Sequence, residues 1–454
     1  MNKKFLDLIN NNFHFVGVGG VSMSGLAKHL ILNGAKVSGS DNNAADVLEQ
    51  LRTVGVKVYS RHSPSNVKGA DVVVYTSAVS DDNCELKFAK HKKLTIYKRS
   101  ELLGKILDSF QKSIAVSGSH GKTTATAMIA HALICAGVDP TVFLGGEDKT
   151  FGNYRNGESG VVVSEACEYK KNLLDLHADI SVVLNIDNDH MDCYKNDKDV
   201  EETFAKFIGG SIAVVNADDK RCANIFNATT VTFGIEKIAT YSAKKVKFNG
   251  KGFSFMVYAY SMPQGVVNLS VIGRHNVYNA LATIAVCDLL KIPFSKVKCA
   301  LESFDGVKRR AEFIGKFGDS EIFADYAHHP KEIKAVLEAF SQADKPYSVI
   351  FQPHTFSRTK LLMDDFVSVL QTIPSLVIYS TYPARESFDA EGSALKLFEN
   401  LKHCGNCERF FASTERELLT LVRQQCAKYK KVLVLGAGNI YDLVKNIINS
   451  SIST

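Results

Sequence analysis

The segment GSHGKTT (residues 118–124) joins an apolar run to a helical pattern. Gly118 and Gly121 allow the backbone to turn so that successive N–H groups face one point. The helix expected to start at about Thr123 favours an anion there, and Lys122 adds a positive charge. The pattern predicts a loop that binds nucleotide phosphates, with Lys122 directed to the β and γ phosphates.

This loop is shorter than the usual P-loop, because Val116 stands where that pattern has its first glycine. A hydroxyl from Thr123 or Thr124 offers a ligand to Mg²⁺. The alternative is a glycine turn with an incidental lysine, but its place between a strand and a helix favours the phosphate loop. We expect an amphipathic helix that Gly137 ends and whose apolar cluster comprises Met128, Ile129, Ala132 and Leu133.

Acidic residues follow two apolar runs downstream of this loop. They are Glu165 and Glu168 in VVVSEACE, and Asp187 and Asp189, with His190, in SVVLNIDNDHMD. In a doubly wound sheet, ligands collect beyond the carboxyl ends of the strands, so the phosphate loop, Glu165 and His190 are expected to converge. Mg²⁺ keeps water and substrate oxygens, so one Glu and one His beside Thr123 suffice. Each acidic residue alone could equally be a solvated loop end.

A second glycine loop, GVGGVSMSG (residues 17–25), follows the first apolar run. Gly17 and Gly19 match a dinucleotide-binding fingerprint, whereas Ser22 stands at its third glycine position. Asp41, after the next predicted strand, is where an acid often holds a ribose hydroxyl. This unit alone suggests a nicotinamide-dependent dehydrogenase. No downstream segment indicates hydride chemistry, however, and the same backbone arrangement serves any diphosphate, including that of a UDP-sugar.

The elements around these loops alternate short β-branched runs with helical patterns, which predicts an α/β protein with parallel sheets. The runs are FHFVGV, KVSGSD and ADVVVYTSAV, then SIAVSG, GVVVSEA and DISVVLNID, and finally EIFADY, YSVIFQ, SLVIYS and KVLVLG. Residues 231–269 alternate Phe, Tyr and Val and predict antiparallel strands. Boundaries near residues 110 and 304 divide the chain into domains 1–110, 111–304 and 305–454.

The composition limits the classes of protein to which the chain can belong. The 454 residues, 45% hydrophobic and 22% charged, are typical of a soluble protein of two to three domains. The net charge of +6 is spread thinly, which suits polyanionic small molecules rather than nucleic acid. Neither a signal peptide nor a membrane span is indicated. The ten cysteines, with Cys404 and Cys407 as loop thiols, are expected to be reduced in the cytoplasm.

Ten ordered motifs resemble the Mur ligase family over essentially the whole chain. They are FVGVGGVSMSGLA, SGSD, VSGSHGKTTATAMIA, SEACEY, LNIDNDHMD, GRHNVYNAL, FDGVKRRAE, DYAHHPKEI, FQPHTFSRT and VLGAGNI. The resemblance implies a Rossmann-like UDP-substrate domain, a central P-loop ATPase-type domain with a mostly parallel sheet, and a Rossmann-like C-terminal domain. It implies ATP- and Mg²⁺-dependent joining of L-alanine to the lactyl carboxylate of UDP-N-acetylmuramate through an acyl phosphate, by a monomer or homodimer.

The resemblance also implies roles for individual residues. The ATP site would comprise Gly118, Ser119, His120, Gly121, Lys122, Thr123, Thr124, His275, Asn276, Asn279, Arg310 and Asp325. The UDP-substrate site would comprise Gly17, Gly19, Gly20, Ser22, Asp41, Ser77 and Arg99. The amino-acid side would comprise Tyr326, His328, His329, His354 and Arg358. The metal ligands would be Thr123 and Glu165 for Mg²⁺ and His190 for a second ion. The catalytic residues would be Lys122, Glu165, His190, His354 and Arg358.

Simpler interpretations remain for several of these positions. Asn279 could be a surface residue of its helix, AHHP a turn into the helix that Pro330 opens, and His354 a structural residue at a strand end. Lys206 is interpreted as a surface lysine. The chain also departs from the family pattern, with Cys167 and Tyr169 in EACEYKKNL, Ala324 in ADYAHHP, and Ser22 in the first loop.

Three rival functions stay open at this point. A sister ligase that attaches a ready-made tripeptide to the same sugar nucleotide would share nearly every motif, so only the acceptor pocket separates the two. A nicotinamide-dependent dehydrogenase would use the first loop. A non-catalytic paralogue is disfavoured because Lys122, Thr123, Glu165 and His190 are all present.

Overall fold

The computed structural model describes residues 3–42, 45–187, 193–341, 346–384, 386–401 and 407–452. The chain forms two compact units, one of residues up to 270 with 275–307, the other of residues 271–274 with those from 308 onward. The first unit contains two sheets and the second contains one. Together they give the expected α/β fold, in which three domains are each built on a mostly parallel sheet.

The first sheet is wholly parallel. Its strands are β1 (Asn12–Val16), β2 (Lys36–Ser40), β3 (Lys57–Tyr59), β4 (Val72–Tyr75) and β5 (Thr95–Lys98), in the order β3-β2-β1-β4-β5. The helices are α1 (Lys3–Ile9), α2 (Val21–Leu32), α3 (Ala45–Thr53), α4 (Cys84–His91) and α5 (Arg99–Leu107). The strand order reverses at β1, and the loop 17–20 follows β1 directly, so this loop lies where doubly wound sheets bind ligands.

The second sheet is larger. Its strands are β6 (Lys112–Ser117), β7 (Thr141–Asp148), β8 (Gly152–Arg155), β9 (Val161–Glu165), β10 (Ile180–Val183), β11 (Ile212–Asn216), β12 (Thr230–Gly234), β13 (Tyr241–Phe248), β14 (Phe253–Ala259) and β15 (Met262–Asn268). Their order is β15-β14-β13-β12-β11-β10-β6-β9-β7-β8. The helices are α6 (Lys122–Cys135), α7 (Asp197–Ile208), α8 (His275–Leu289) and α9 (Phe294–Ser303).

The antiparallel prediction for residues 231–269 is correct for β13, β14 and β15, which form a meander. It is wrong for β12, which pairs in parallel with both β11 and β13. The alternation of apolar residues in β12 resembles that of a half-buried antiparallel strand, although the strand continues the parallel sheet.

The prediction that the helix after the phosphate loop is amphipathic is wrong. Residues on nearly every face of α6 are buried, because the helix packs between the sheet on one side and α8 and α9 on the other. Its end is as predicted: α6 stops at Cys135, and Gly137 adopts a left-handed φ of 88°. A helix so enclosed is a rigid support for the loop at its N-terminus.

The second unit is a six-stranded sheet with helices on both faces. Its strands are β16 (Glu312–Phe317), β17 (Ser320–Asp325), β18 (Tyr347–Phe351), β19 (Ser375–Tyr379), β20 (Glu408–Ala412) and β21 (Lys431–Leu435), in the order β16-β17-β21-β18-β19-β20. The helices are α10 (Pro330–Ser341), α11 (Phe356–Leu361), α12 (Met363–Leu370), α13 (Ala394–Leu401), α14 (Glu415–Lys428) and α15 (Ile440–Ile452). Only the β16–β17 pair is antiparallel.

Alternate residues of each central strand in this unit enter different apolar clusters. On β18, Phe351 packs into one cluster and Ile350 into the other, which is how a sheet covered on both faces forms two cores. Among the described residues of the whole chain, no helix combines the length and apolar composition needed to cross a bilayer.

Candidate active site

The phosphate loop leaves β6 and enters α6 through two glycines in unusual conformations. Gly118 has a φ of 144° and Gly121 a φ of 83°, and Gly121 is the residue immediately before α6. A Cβ on Gly118 would lie 3.1 Å from Cβ of Leu184 and 3.2 Å from the backbone of Asn185. Both positions therefore need glycine, for backbone conformation and, at Gly118, for its close approach to the neighbouring strand.

The segment after β10 holds this loop in shape. Asn185 accepts a hydrogen bond from the His120 N–H on Oδ1 at 2.8 Å and donates from Nδ2 to the His120 carbonyl at 3.0 Å. The Ser119 hydroxyl accepts the N–H of Asp187 at 2.8 Å. The sequence analysis did not single out Asn185, although a polar residue just after a strand that neighbours β6 was the available signal.

Lys122 is the first residue of α6, and acceptors surround its Nζ. Its Nζ donates to the carbonyls of Gly118 at 2.6 Å and Ser119 at 3.0 Å, and it pairs with the Glu168 carboxylate at 2.9 Å. Burial, the largest single effect, disfavours the charged form, but interactions with Glu168, Cys167 and Glu165 together outweigh it, and the pKa of Lys122 is raised above its usual value. The lysine is thus a fixed positive charge, and Glu168, buried beside it, is its counter-ion.

Thr123 and Glu165 form the oxygen-rich part of the site. The Thr123 hydroxyl donates to Oε2 of Glu165 at 3.1 Å, and the N–H of Gly145 donates to Oε1 at 2.5 Å. A Cβ on Gly145 would lie 2.8 Å from Oε2 of Glu165, and one on Gly146 would lie 2.8 Å from Cγ2 of Thr123. This glycine pair on β7, which the sequence analysis did not identify, makes room for the two side chains.

The hydroxyl of Thr123 and the carboxylate of Glu165 are the hard oxygen donors that Mg²⁺ prefers, so this pair fits a magnesium ion. His190 and Asp189, predicted at the same edge, lie outside the described residues. Within the described residues, no group of three His, Cys, Asp or Glu side chains is arranged to hold a metal. Mg²⁺ at Thr123 and Glu165 would therefore complete its shell with water and phosphate oxygens.

Helix α8 supplies two buried amides beside the loop. Asn279 is 3% exposed, its Nδ2 donates to Oδ1 of Asn276 at 2.9 Å, and a Cβ on Gly121 would lie 3.3 Å from its Oδ1. The surface alternative for Asn279 is therefore wrong, because α8 packs against α6 at the loop. His275, the first residue of α8, is exposed, and Thr124 and His120 are half-buried.

The first glycine loop is built differently. Gly17 has a φ of 82°, and a Cβ there would lie 3.0 Å from Cγ2 of Thr76. The N–H of Gly19 donates to Oδ2 of Asp41 at 3.1 Å, and Gly20 precedes the first residue of α2. Asp41, 5% exposed, thus binds the loop itself, a role that the sequence analysis did not predict. Ser22, in the first turn of α2, is half-buried.

Of the two other residues predicted for the UDP-substrate, Ser77 is exposed after β4, whereas half-buried Arg99 begins α5. Burial is the main cause that raises the pKa of the Cys167 thiol, and the charge of Glu168 is the next. The positive charges of Lys122 and Arg99 oppose this shift. Arg99 therefore lies near the loop that follows β9. Its neighbour Ser100 donates to Oδ1 of Asn172 at 3.1 Å, which ties α5 to that loop.

In the second unit, Asp325 organises the segment that precedes β16. Its Oδ2 accepts the N–H of Ala311 at 2.7 Å and its Oδ1 accepts that of Ala327 at 2.8 Å. Burial raises the pKa of Asp325, although Arg310 and these N–H groups oppose the shift. Both oxygens serve the local fold; a contact between Asp325 and ATP stays a prediction.

Arg309 and Arg310, in the segment that precedes β16, differ in their contacts and exposure. Nη2 of Arg309 donates to the carbonyls of Gly436 at 2.9 Å and Gly438 at 2.8 Å, and its guanidinium lies 5.0 Å from the Tyr326 ring. Arg310 is exposed and its guanidinium lies 5.7 Å from the same ring. The sequence analysis named only Arg310, which remains available to a ligand, whereas Arg309 holds the loop after β21.

The predicted amino-acid side converges within this unit. The ring of His354 lies 5.6 Å from that of His328 and stacks on Tyr382 at 5.5 Å, and the guanidinium of Arg358 lies 3.5 Å from Nδ1 of His354. Burial, followed by the charges of His328 and Arg358, lowers the pKa of His354 to about 4. His354 is therefore neutral at pH 7, and Arg358 is the fixed cation of the cluster.

His328 is oriented by its neighbours. Its Nδ1 lies 2.9 Å from the Tyr326 carbonyl, and its ring is perpendicular to that of Tyr326 at 5.3 Å. Glu332, which sequence reasoning missed, accepts the N–H of His328 at 3.0 Å and of His329 at 3.2 Å. The AHHP segment is therefore the predicted turn into α10, and the same turn also presents His328 beside His354.

Comparison with known families and structures covers nearly the whole chain. The model described as "Mur ligase family, catalytic domain" matches residues 12–111, "Mur ligase middle domain" matches residues 116–287, and "Mur ligase, glutamate ligase domain" matches residues 309–438. Each match spans most of one of the three sheets described above.

Individual proteins match over similar lengths. The UDP-N-acetylmuramate–L-alanine ligase of Clostridium acetobutylicum is 40% identical over 446 residues, which are 96% of this chain and 97% of that protein. The solved UDP-N-acetylmuramate-alanine ligase of Thermotoga maritima is 31% identical with a TM-score of 0.83, covering 98% of this chain and 99% of that one. A murein peptide ligase of Psychrobacter arcticus, 21% identical with a TM-score of 0.69 and 98% coverage of both chains, shares the fold. Three family models and a full-length relative at 40% identity lead to one conclusion: the chain belongs to the Mur ligase family.

Proposed function

We propose that the protein is an ATP-dependent ligase that joins L-alanine to the lactyl carboxylate of UDP-N-acetylmuramate, a step of peptidoglycan precursor synthesis. The observation that carries this proposal is the convergence of Lys122, Thr123 and Glu165 at adjoining strand ends of the second sheet. Full-length relatives named UDP-N-acetylmuramate–L-alanine ligase support the choice of substrates.

The reaction has two steps. A carboxylate oxygen of the sugar nucleotide attacks the γ-phosphorus of ATP, the bond to the β–γ bridging oxygen breaks, and ADP leaves. The unprotonated amine of L-alanine then attacks the carbonyl carbon of the acyl phosphate, the amine loses a proton, and phosphate leaves as the amide forms. The first step brings two anions together, so neutralising charge is its main demand.

Lys122 meets that demand as a cation held against the phosphate loop. Its charge would contact the β and γ phosphates at the N-terminus of α6, which also favours an anion. Thr123 and Glu165 would hold Mg²⁺, which supplies further positive charge to the transferred group. We propose His190 as a ligand of a second metal ion, and Asn276 and Asn279 with His275 as nucleotide contacts.

The front domain would hold the acid. The first turn of α2 would present its N–H groups to a diphosphate, whereas the N–H groups of the loop 17–20 hold the loop's own shape, that of Gly19 through Asp41. We assign to Arg99, beside the loop after β9, the role of attracting the anionic substrate toward Lys122. Ser22, half-buried in the first turn of α2, is close enough along the chain to contact the same diphosphate.

The histidine cluster would receive the amino acid. A guanidinium matches a carboxylate bidentately, so we assign the L-alanine carboxylate to Arg358, with the transferring phosphate as its other candidate ligand. His354 and His328, both with lowered pKa values, offer neutral nitrogens beside a cation. Tyr326, His329 and Arg310 border the same turn.

An ADP-release assay with ATP, Mg²⁺ and UDP-N-acetylmuramate tests the proposal across acceptors. We expect turnover with L-alanine, weaker turnover with glycine or L-serine, and none without an acceptor. Turnover only with an L-alanyl-γ-D-glutamyl-meso-diaminopimelate tripeptide would assign the sister activity instead. Absence of ADP with every acceptor, together with tight binding of a nicotinamide dinucleotide, would overturn the assignment.

We also propose a cellular location and an oligomeric state for the protein. ATP as a substrate supports a cytoplasmic location. We propose a monomer or homodimer, which light scattering coupled to size-exclusion chromatography would decide from the measured mass.

A further inference from the structure

The β7–β8 hairpin connects the two nucleotide-type loops of the first unit. One side of the hairpin contacts α2, which begins directly after the first glycine loop. The other side carries Gly145 and Gly146, which contact Glu165 and Thr123 beside the second. No function described above uses this connection, although both loops depend on elements that the hairpin touches.

Asn153 of β8 makes the polar part of the α2 contact. Its Nδ2 donates to the Val21 carbonyl at 2.5 Å and to the Ser24 hydroxyl at 2.9 Å. Its Oδ1 accepts from Nζ of Lys28 at 3.1 Å. The side chain is 7% exposed, so one buried amide uses both of its donors and its acceptor on the first two turns of α2. Gly25 packs beside this amide, since a Cβ there would be in ordinary van der Waals contact with Nδ2 of Asn153 at 3.4 Å.

An aromatic cluster makes the same contact rigid one turn further along. His29 of α2 is 2% exposed, and its ring lies 5.3 Å from Phe143 of β7 and 5.7 Å from Tyr154 of β8. Nδ1 of His29 lies 2.9 Å from the Tyr154 hydroxyl, which donates to Asn156 at 2.7 Å. Close-packed rings that also hydrogen-bond leave α2 little freedom to shift against the hairpin.

The path from Asn153 to the second loop is short. Phe143 pairs with Tyr154, and the regular register is interrupted between Phe143 and Asp148, so Asn153 lies opposite the irregular segment that contains Gly145. Gly145 is two residues beyond Phe143, or about 7 Å along the strand. Its N–H donates to Glu165, so the backbone of the hairpin links the Asn153 contact on α2 to the Thr123–Glu165 pair.

We propose that Asn153 is a positioning residue that fixes the first glycine loop relative to the Thr123–Glu165 pair, and so sets how closely the substrate carboxylate approaches the γ-phosphate. The inference rests on the proposed function, because it needs one ligand at each loop. Asn153 contacts Val21, the residue after the first loop, and its amide is committed to α2, so we assign it no ligand of its own. Loss of its contacts should therefore impair the step that needs both ligands in register.

The test compares Asn153→Ala and Asn153→Asp with wild type. We expect kcat to fall roughly 10- to 100-fold in both variants, because a small misplacement of reactants slows a reaction by that order. KM for each substrate, and the separately measured affinities for UDP-N-acetylmuramate and ATP, should stay within about twofold. Asn153→Asp keeps an acceptor for Lys28 and loses both donors to α2. It therefore separates the effect of losing the donors from the effect of a smaller side chain.

Thr150→Ala is the matched control, since Thr150 is exposed at the tip of the same hairpin and should leave kcat unchanged. Rapid-quench measurement of ADP formed in a single turnover should show the same loss in the Asn153 variants. A fully active Asn153→Asp variant would overturn the inference, as would equal losses of kcat and of binding of each separate ligand. An inactive wild type would instead refute the proposed function.

Discussion

The two glycine loops of the first unit share a strand–loop–helix frame and differ in the charges around it. The loop 17–20 is held by the Asp41 carboxylate, and its helix begins with Val21. The loop 118–121 has Lys122 as its first helical residue, paired with Glu168 and adjoining Thr123 and Glu165. Both loops lead into a helix N-terminus that favours an anion, but among the described residues only the second adds a fixed cation and a candidate magnesium pair.

The difference indicates a division of labour. Backbone N–H groups suffice to hold a diphosphate whose bonds do not change, because no new charge develops there. A transferred phosphoryl group needs charge that follows the reaction, which Lys122 and the Thr123–Glu165 pair can supply. Changes at the second loop should therefore affect kcat, whereas changes at the first should affect KM for the sugar nucleotide.

The largest effect is expected from Lys122→Met. Loss of the cation should lower kcat by about 10³-fold or more, with affinity for UDP-N-acetylmuramate within about twofold of wild type. The substitution also leaves Glu168 buried without its partner, which destabilises the fold. The double variant Lys122→Met with Glu168→Gln should recover thermal stability and stay inactive. Recovery of activity in the double variant would contradict the role of Lys122.

Glu165→Gln should lower activity by about 10- to 100-fold at a fixed Mg²⁺ concentration. The neutral amide still fits beside Gly145 but binds Mg²⁺ more weakly, so the Mg²⁺ concentration for half-maximal rate should rise. Titration of the rate with Mg²⁺ measures this shift. An unchanged midpoint with a lower maximal rate would show that Glu165 acts other than as a metal ligand.

Asp41→Asn tests the first loop. The carboxylate that accepts the Gly19 N–H is replaced by a weaker acceptor, and we expect KM for UDP-N-acetylmuramate to rise roughly tenfold, equivalent to about 1.4 kcal/mol. The value of kcat and KM for ATP should stay within about twofold. Initial-rate kinetics with each substrate varied in turn provide the measurement. A fall in kcat with unchanged KM would remove the distinction between the loops.

His29 gives the contact between α2 and the hairpin a pH dependence. Burial lowers its pKa from 6.5 to about 3, so the unfolded chain binds a proton that the folded chain does not between those values. This contribution to stability is fully present above pH 6.5 and is lost as pH falls, by about 1.4 kcal/mol per unit. The free energy of unfolding of His29→Phe, measured between pH 7 and 5, should decline less than that of wild type. Parallel curves would contradict this account.

The sequence predicted the α/β class and the glycine turn between β6 and α6 because local signals carry both. Glycines with a following lysine define the loop, and β-branched runs define the parallel strands. It could not predict that Asp41 binds Gly19, that Asn185 holds His120, or that Asn279 is buried beside Gly121, since each contact joins distant segments.

Errors of the sequence analysis have a similar origin. The burial of α6 on most faces depends on α8 and α9, which follow it by more than a hundred residues, and its own pattern does not contain them. Arg309 and Arg310 are adjacent and chemically alike, yet only the fold around Gly436 and Gly438 distinguishes the structural role of half-buried Arg309 from that of exposed Arg310.

The central claim is that the γ-phosphoryl group of ATP passes to the carboxylate held by the front domain. Incubation of the enzyme with ATP, L-alanine and UDP-N-acetylmuramate labelled with ¹⁸O in the lactyl carboxylate tests it directly. Mass spectrometry of the released phosphate should find one carboxylate-derived ¹⁸O atom in each phosphate formed. Phosphate without label, alongside amide product, would mean that the bond forms without an acyl phosphate and would contradict the account.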